Sequence, residues 1–240
     1  MSEDIQLASI PPRGRHRRHV ANLLSLGNLC CGLGAVAMAA AGRLDVTLVL
    51  VLLGFALDGL DGLAARRWGG TPFGVLADDI ADAITYGLAP GAAVFFTVGA
   101  AEGLIVGAAY ALFTWTRLLY FTLTKGSAEA GCFGGVPSAI GAVLVVSTLL
   151  VLGDHALYVG AGVGVACALM VAFPVRYLHG SKLLRKPIVR AGLGVAALLV
   201  AVVVLLAGVQ GLAALLLGGA LAYGFWPSAR ALSAALKPAV

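Results

Sequence analysis

Four aspartates stand in a chain otherwise suited to lipid. Asp58 and Asp61 are three residues apart and Asp78 and Asp82 four apart, so on helices each pair shares a face. Two such helices packed side by side bring the four carboxylates together. Carboxylates in an apolar setting are costly unless compensated, and an acid inside a membrane is a functional residue by default. One or two hard divalent cations such as Mg²⁺ are the simplest compensation, because they take oxygen ligands and commonly bridge to phosphates. Asp79 falls off the face set by Asp78 and Asp82 and reads as an N-terminal helix residue. Singly, these acids have blander roles: Asp78 or Asp79 as a helix cap, Asp61 as an ion-pair partner of Arg66. Four at this spacing are poorly served by such roles. Gly62, Gly69, Gly70 and Gly74 surround them, and small residues let helices or a bulky ligand approach the backbone.

The elements that must position these acids are membrane helices. Hydrophobic residues make up 60% of the chain and charged residues 11%, and mean hydropathy is +0.99. The fold class expected is an all-α polytopic membrane protein of about eight transmembrane helices, near 22–41, 47–66, 80–98, 102–122, 135–153, 156–175, 190–207 and 210–227. Residues 1–20 form a basic cytosolic arm, 21–228 the membrane domain with its signature at 58–82, and 229–240 a short cytosolic tail. The first apolar run, about 19 residues, is longer than a signal-peptide core and reads as an uncleaved first helix. Cys30, Cys31, Cys132 and Cys167 lack pairing or zinc spacing and read as small core residues.

Charge supplies the orientation. The net charge of +5 does not point to nucleic acid, because the basic residues cluster between apolar runs. Arg13 to Arg18, Arg66 with Arg67, Arg117 with Lys125, the group from Arg176 to Arg190, and Arg230 with Lys237 fall on one side. The positive-inside tendency makes that side cytoplasmic. Both termini and the connection carrying the acids then face the cytoplasm, in a multi-pass protein of the cell membrane. Asp58 lies about 13 Å along the helix from Arg67, so the site is recessed, or the helix continues into the cytosol.

Asp58-x-x-Asp61-Gly62-x-x-Ala65-Arg66, seven further residues, then Gly74-x-x-x-Asp78-x-x-x-Asp82 resembles the complete signature of the CDP-alcohol phosphatidyltransferases. That resemblance implies a pair of divalent ions, Mg²⁺ or Mn²⁺, held by Asp58, Asp61 and Asp78. Asp82 shares in the metal site and acts as the base. It implies that Asp61, Gly62, Ala65, Arg66, Gly74 and Asp78 bind the cytidine nucleotide. It also implies CDP-diacylglycerol as a substrate, membrane lipids as partners and a homodimer.

Asn22-Leu23-Leu24-Ser25-Leu26-Gly27-Asn28, Ile84-Thr85-Tyr86-Gly87-Leu88-Ala89-Pro90, Arg117-Leu118-Leu119-Tyr120-Phe121 and Gly134-Gly135-Val136-Pro137 are similar to elements of the serine-using integral-membrane branch. The acceptor implied is L-serine, giving phosphatidylserine and CMP. Tyr120 stands where that branch has a second arginine, and Val136 where it has leucine. Arg117 and Lys125, with Ser25 and Asn28, are the candidates for binding the acceptor or the lipid-linked phosphate. Glycerol 3-phosphate, inositol phosphate or another alcohol could be accepted by the same chemistry. A cation- or proton-coupled transporter is the competing class, but no inverted repeat accompanies the acids.

Overall fold

The computed structural model describes residues 18–124, 132–171, 176–178 and 187–235. Helices α1 (Arg18–Ala40) and α2 (Leu44–Trp68) form an antiparallel pair closed by a turn at Gly42. Next come α3 (Pro72–Asp82), a π-helical segment (Ala83–Leu88) and α4 (Ala89–Val98), which together make one span. Helix α5 is Ala100–Thr124, α6 Ser138–Leu152, α7 Ala156–Met170 and α8 Pro187–Ala235. Strands β1 (Cys132–Gly134) and β2 (Arg176–Leu178) pair antiparallel, Phe133 opposite Tyr177.

Five helical stretches among the described residues are long and apolar enough to cross a membrane: His19–Ala40, Leu44–Trp68, Phe73–Val98, Ala100–Leu123 and Val200–Phe225. The chain is therefore an all-helical, multi-pass membrane protein apart from its short ladder. Helices α6 and α7 are apolar but have 15 residues each, fewer than the roughly 20 a perpendicular crossing needs. Within the run Pro187–Ala235 the two carboxyl-terminal segments are separate helices that meet at a kink at Gly208, whose φ of 61° is non-helical. That run continues to Ala235, through the residues expected to begin the tail.

The third span starts about eight residues earlier than its apolar run. Thr71 caps it, accepting from Gly74 N at 2.9 Å, and Pro72 occupies the first turn. A capped start with proline is a strong helix signal. Asp78 thus lies inside the span rather than before it, together with Asp82.

α1 is the shared wall of the amino half. It packs along α2 and also against α3, the π segment and α4, whereas α2 and α3 make little contact with each other. α6 is the centre of the other half, enclosed by α2, α4, α7 and α8, with Leu144, Val145, Val146 and Leu149 buried.

Candidate active site

Asp58 and Asp61 lie near the end of α2, and Asp78 and Asp82 on α3. Asp58, Asp61 and Asp78 each present a carboxylate oxygen within 4.8 Å of the others. They face one another across the narrow space that α1 keeps between α2 and α3. Three hard oxygen donors at that separation can surround one divalent cation at 2.0–2.6 Å, roughly the span of Mg²⁺ and Ca²⁺ bond lengths. The donor set therefore fits the cation that the sequence calls for.

Each of three acids is held from outside the cluster. Ser25 Oγ donates to Asp61 Oδ2 at 2.7 Å, and Asn28 Nδ2 to Asp82 Oδ1 at 3.0 Å. Tyr86 OH donates to Asp58 Oδ2 at 3.3 Å. Ser25 and Asn28 sit three apart on α1, so a single face reaches an acid on each of the two helices. Both are buried. Helix α2 comes close to Asn28 at Gly54, where a β-carbon would stand 2.7 Å from Asn28 Oδ1.

The capped start of α3 is tied to the same helix, since Thr71 Oγ1 donates to Asn22 Oδ1 at 3.0 Å. A β-carbon at Gly74 would lie 2.5 Å from that oxygen, so glycine is what lets α3 begin against α1. Gly62, Ala65 and Arg66 occupy the last two turns of α2, with Arg66 exposed and its guanidinium the nearest group above Gly62. Asp79 points elsewhere and accepts from Thr122 on α5 at 3.3 Å.

Arg117 does not reach the acids. Its Nε donates to Met170 O at 3.3 Å, Nη1 to Ser138 Oγ at 2.6 Å and Nη2 to Val136 O at 2.8 Å. Lys125 lies outside the described residues, as do most of the basic arm and the stretch containing Lys182, Arg185 and Lys186. Tyr86 was absent from the candidates that sequence supplied. Its signal was available, because it follows Asp82 by four residues and Asp78 by eight on one helix face.

A family model described as CDP-alcohol phosphatidyltransferase matches residues 18–178. A CDP-diacylglycerol–serine O-phosphatidyltransferase of Helicobacter pylori is 32% identical over 133 residues, covering 54% of this chain and 56% of that protein. A protein of the same name from Mycobacterium leprae is 29% identical over 149 residues, 58% of this chain and 50% of the relative. An archaetidylserine synthase of Methanothermobacter thermautotrophicus is 26% identical over 161 residues, 65% of this chain and 68% of that protein. The chain spans about half the length of the first two relatives it matches. The matched region contains every acid of the cluster together with Ser25, Asn28 and Tyr86.

Proposed function

The chain belongs to the CDP-alcohol phosphatidyltransferase family, and from that premise we propose that it transfers the phosphatidyl group of CDP-diacylglycerol to L-serine. Phosphatidylserine and CMP are the products. The observation that carries this reading is the meeting of Asp58, Asp61 and Asp78 within 4.8 Å. Serine is favoured as acceptor because the similar proteins are named for it.

Asp58, Asp61 and Asp78 hold divalent cations, with Asp82 at the edge of the set. Two Mg²⁺ or Mn²⁺ ions supply charge neutralisation for the pyrophosphate and for the departing CMP. Asp82 takes the proton of the acceptor hydroxyl, which is a poor nucleophile while protonated. The hydroxyl oxygen forms a bond to the phosphorus that carries diacylglycerol, and the bond from that phosphorus to the CMP oxygen breaks in line. Gly62, Ala65 and Gly74 leave room for the nucleotide, and the exposed Arg66 lies close to its charge. Asn28 keeps Asp82 oriented through one oxygen, leaving the other for the proton. Arg117 acts through the fold, while Lys125 remains a candidate for the acceptor or lipid phosphate. The protein works in the cytoplasmic membrane as a homodimer, its site facing the cytoplasm, as the positive-inside tendency of its basic clusters supports.

The test uses purified protein in lipid with CDP-diacylglycerol and Mg²⁺ or Mn²⁺, given L-serine, glycerol 3-phosphate, inositol phosphate or inositol separately. CMP and lipid product are followed by mass spectrometry. Phosphatidylserine with serine alone is the expected result. Product with a different alcohol moves the protein to another branch of the same chemistry, and no CMP release under any condition removes the enzyme reading.

A further inference from the structure

Residues Ala83–Leu88 form a π-helical turn inside an otherwise α-helical span. Such turns hold an extra residue, are rare, and occur frequently at functional sites. This one is gripped from α5. Trp115 Nε1 donates to Ala83 O at 2.8 Å, and a β-carbon at Gly87 would stand 2.6 Å from that nitrogen. Only glycine leaves space there for the indole. The widened turn sends two adjacent side chains inward. Thr85 is fully buried and donates to Asn28 O at 3.1 Å, on the backbone of α1. Tyr86, 1% exposed, crosses to α2 and donates to Asp58 Oδ2.

We propose that Tyr86 is a positioning residue for the cation site, presented by the π turn and held there by the Gly87–Trp115 contact. Its hydroxyl fixes the rotation of the Asp58 carboxylate, so that the remaining lone pairs aim at the space shared with Asp61 and Asp78. An ionised carboxylate has about four acceptor positions, and one hydrogen bond leaves ample capacity for a cation. Ser25 does the equivalent for Asp61 from α1. Partners that orient metal ligands change metal affinity by about 10–100-fold when removed. The 3.3 Å separation is long for an O–H···O bond, which puts the expected effect at the lower end of that range. The ring itself belongs to a buried apolar cluster with Ala35, Val51, Ala89 and Ala139. Phenylalanine preserves that packing, so Tyr86→Phe isolates the hydroxyl. The inference rests on the reading of Asp58, Asp61 and Asp78 as cation ligands.

The measurement is Mn²⁺ binding to the purified full chain in detergent without substrate, read as the loss of the free-ion spin-resonance signal. Wild type is expected to bind, and Tyr86→Phe to bind about tenfold more weakly at an unchanged melting temperature. Trp115→Phe, which deletes the N–H that grips the turn, is expected to shift affinity the same way by less. Combined with Tyr86→Phe it adds nothing further, because both act through one hydroxyl. Equal Mn²⁺ affinity in wild type and Tyr86→Phe overturns the positioning role, as does an additive loss in the double variant. Wild type that binds no Mn²⁺ overturns the cation site itself, and the role of Tyr86 with it.

Discussion

The acid cluster of α2 and α3 and the guanidinium of Arg117 on α5 are both ionisable groups among apolar helices, yet their neighbours differ in kind. Every type of nitrogen in Arg117 donates to an oxygen, two of them backbone carbonyls, and its guanidinium carbon lies 4.5 Å from the Phe121 ring centre. This cation is satisfied by the protein alone. The acids Asp58, Asp61 and Asp82 each take one side-chain hydrogen bond from a neutral residue and keep further lone pairs for something else. Burial of charge is thus no sufficient sign of a site. What separates the two is the protein's answer to the charge: each nitrogen of Arg117 meets a protein oxygen, whereas three carboxylates converge on one another.

Breaking the acid side should give the largest effect. Asp82→Asn keeps the volume and the Asn28 neighbour but cannot take a proton, so turnover is expected to fall by about 10²–10⁴-fold with folding retained. CMP release on monodisperse protein checks this, and an active variant would remove the base assignment. Breaking the arginine side should damage the fold instead. Arg117→Met leaves Val136 O, Met170 O and Ser138 without their donor, a loss of about 3–5 kcal/mol, read as a lowered melting temperature in lipid. Mn²⁺ affinity of the folded fraction should stay at the wild-type level. Arg117→Lys should recover little, since a point ammonium does not reproduce the fork that spans three acceptors.

Ser25→Ala sharpens the comparison at a smaller scale. It removes the 2.7 Å bond to Asp61, and the expected loss is roughly 10–100-fold in Mn²⁺ affinity, without the stability loss of the arginine variant. At the bottom of the scale stands the exposed Arg43–Asp45 pair, 3.1 Å apart. Surface pairs contribute little, so Arg43→Ala should change neither melting temperature nor turnover measurably.

Much of this was legible in the sequence because the signals were strong locally. Apolar runs located the helices, and three- and four-residue spacing located the acids on their faces. The start of the third span was not legible from hydropathy, since Thr71 and Pro72 specify it through capping rather than through apolar content. Ser25 and Asn28 were visible as polar residues on one membrane helix, but a pattern on α1 does not reveal which helices lie beside it. They read as a head-group pocket, and in the structure they contact Asp61 and Asp82. Arg117 likewise read as a candidate for the acceptor or the lipid-linked phosphate, because its carbonyl acceptors at Val136 and Met170 are distant in sequence. The π turn has no periodic signature, whereas Tyr86 could have been found from its place four residues after Asp82.

The brevity of α7 bears on the lipid around the protein. Fifteen residues make a rod of about 22 Å, against a hydrocarbon layer of roughly 30 Å. Its neighbour α6 is equally short but buried along most of its length. α7 has Leu157 72% and Tyr158 51% exposed, and a bilayer meeting that flank would have to thin to match it. That elastic strain grows with acyl length, so the same protein should be less stable in long-chain bilayers than in short-chain ones, with the deformation concentrated along one flank.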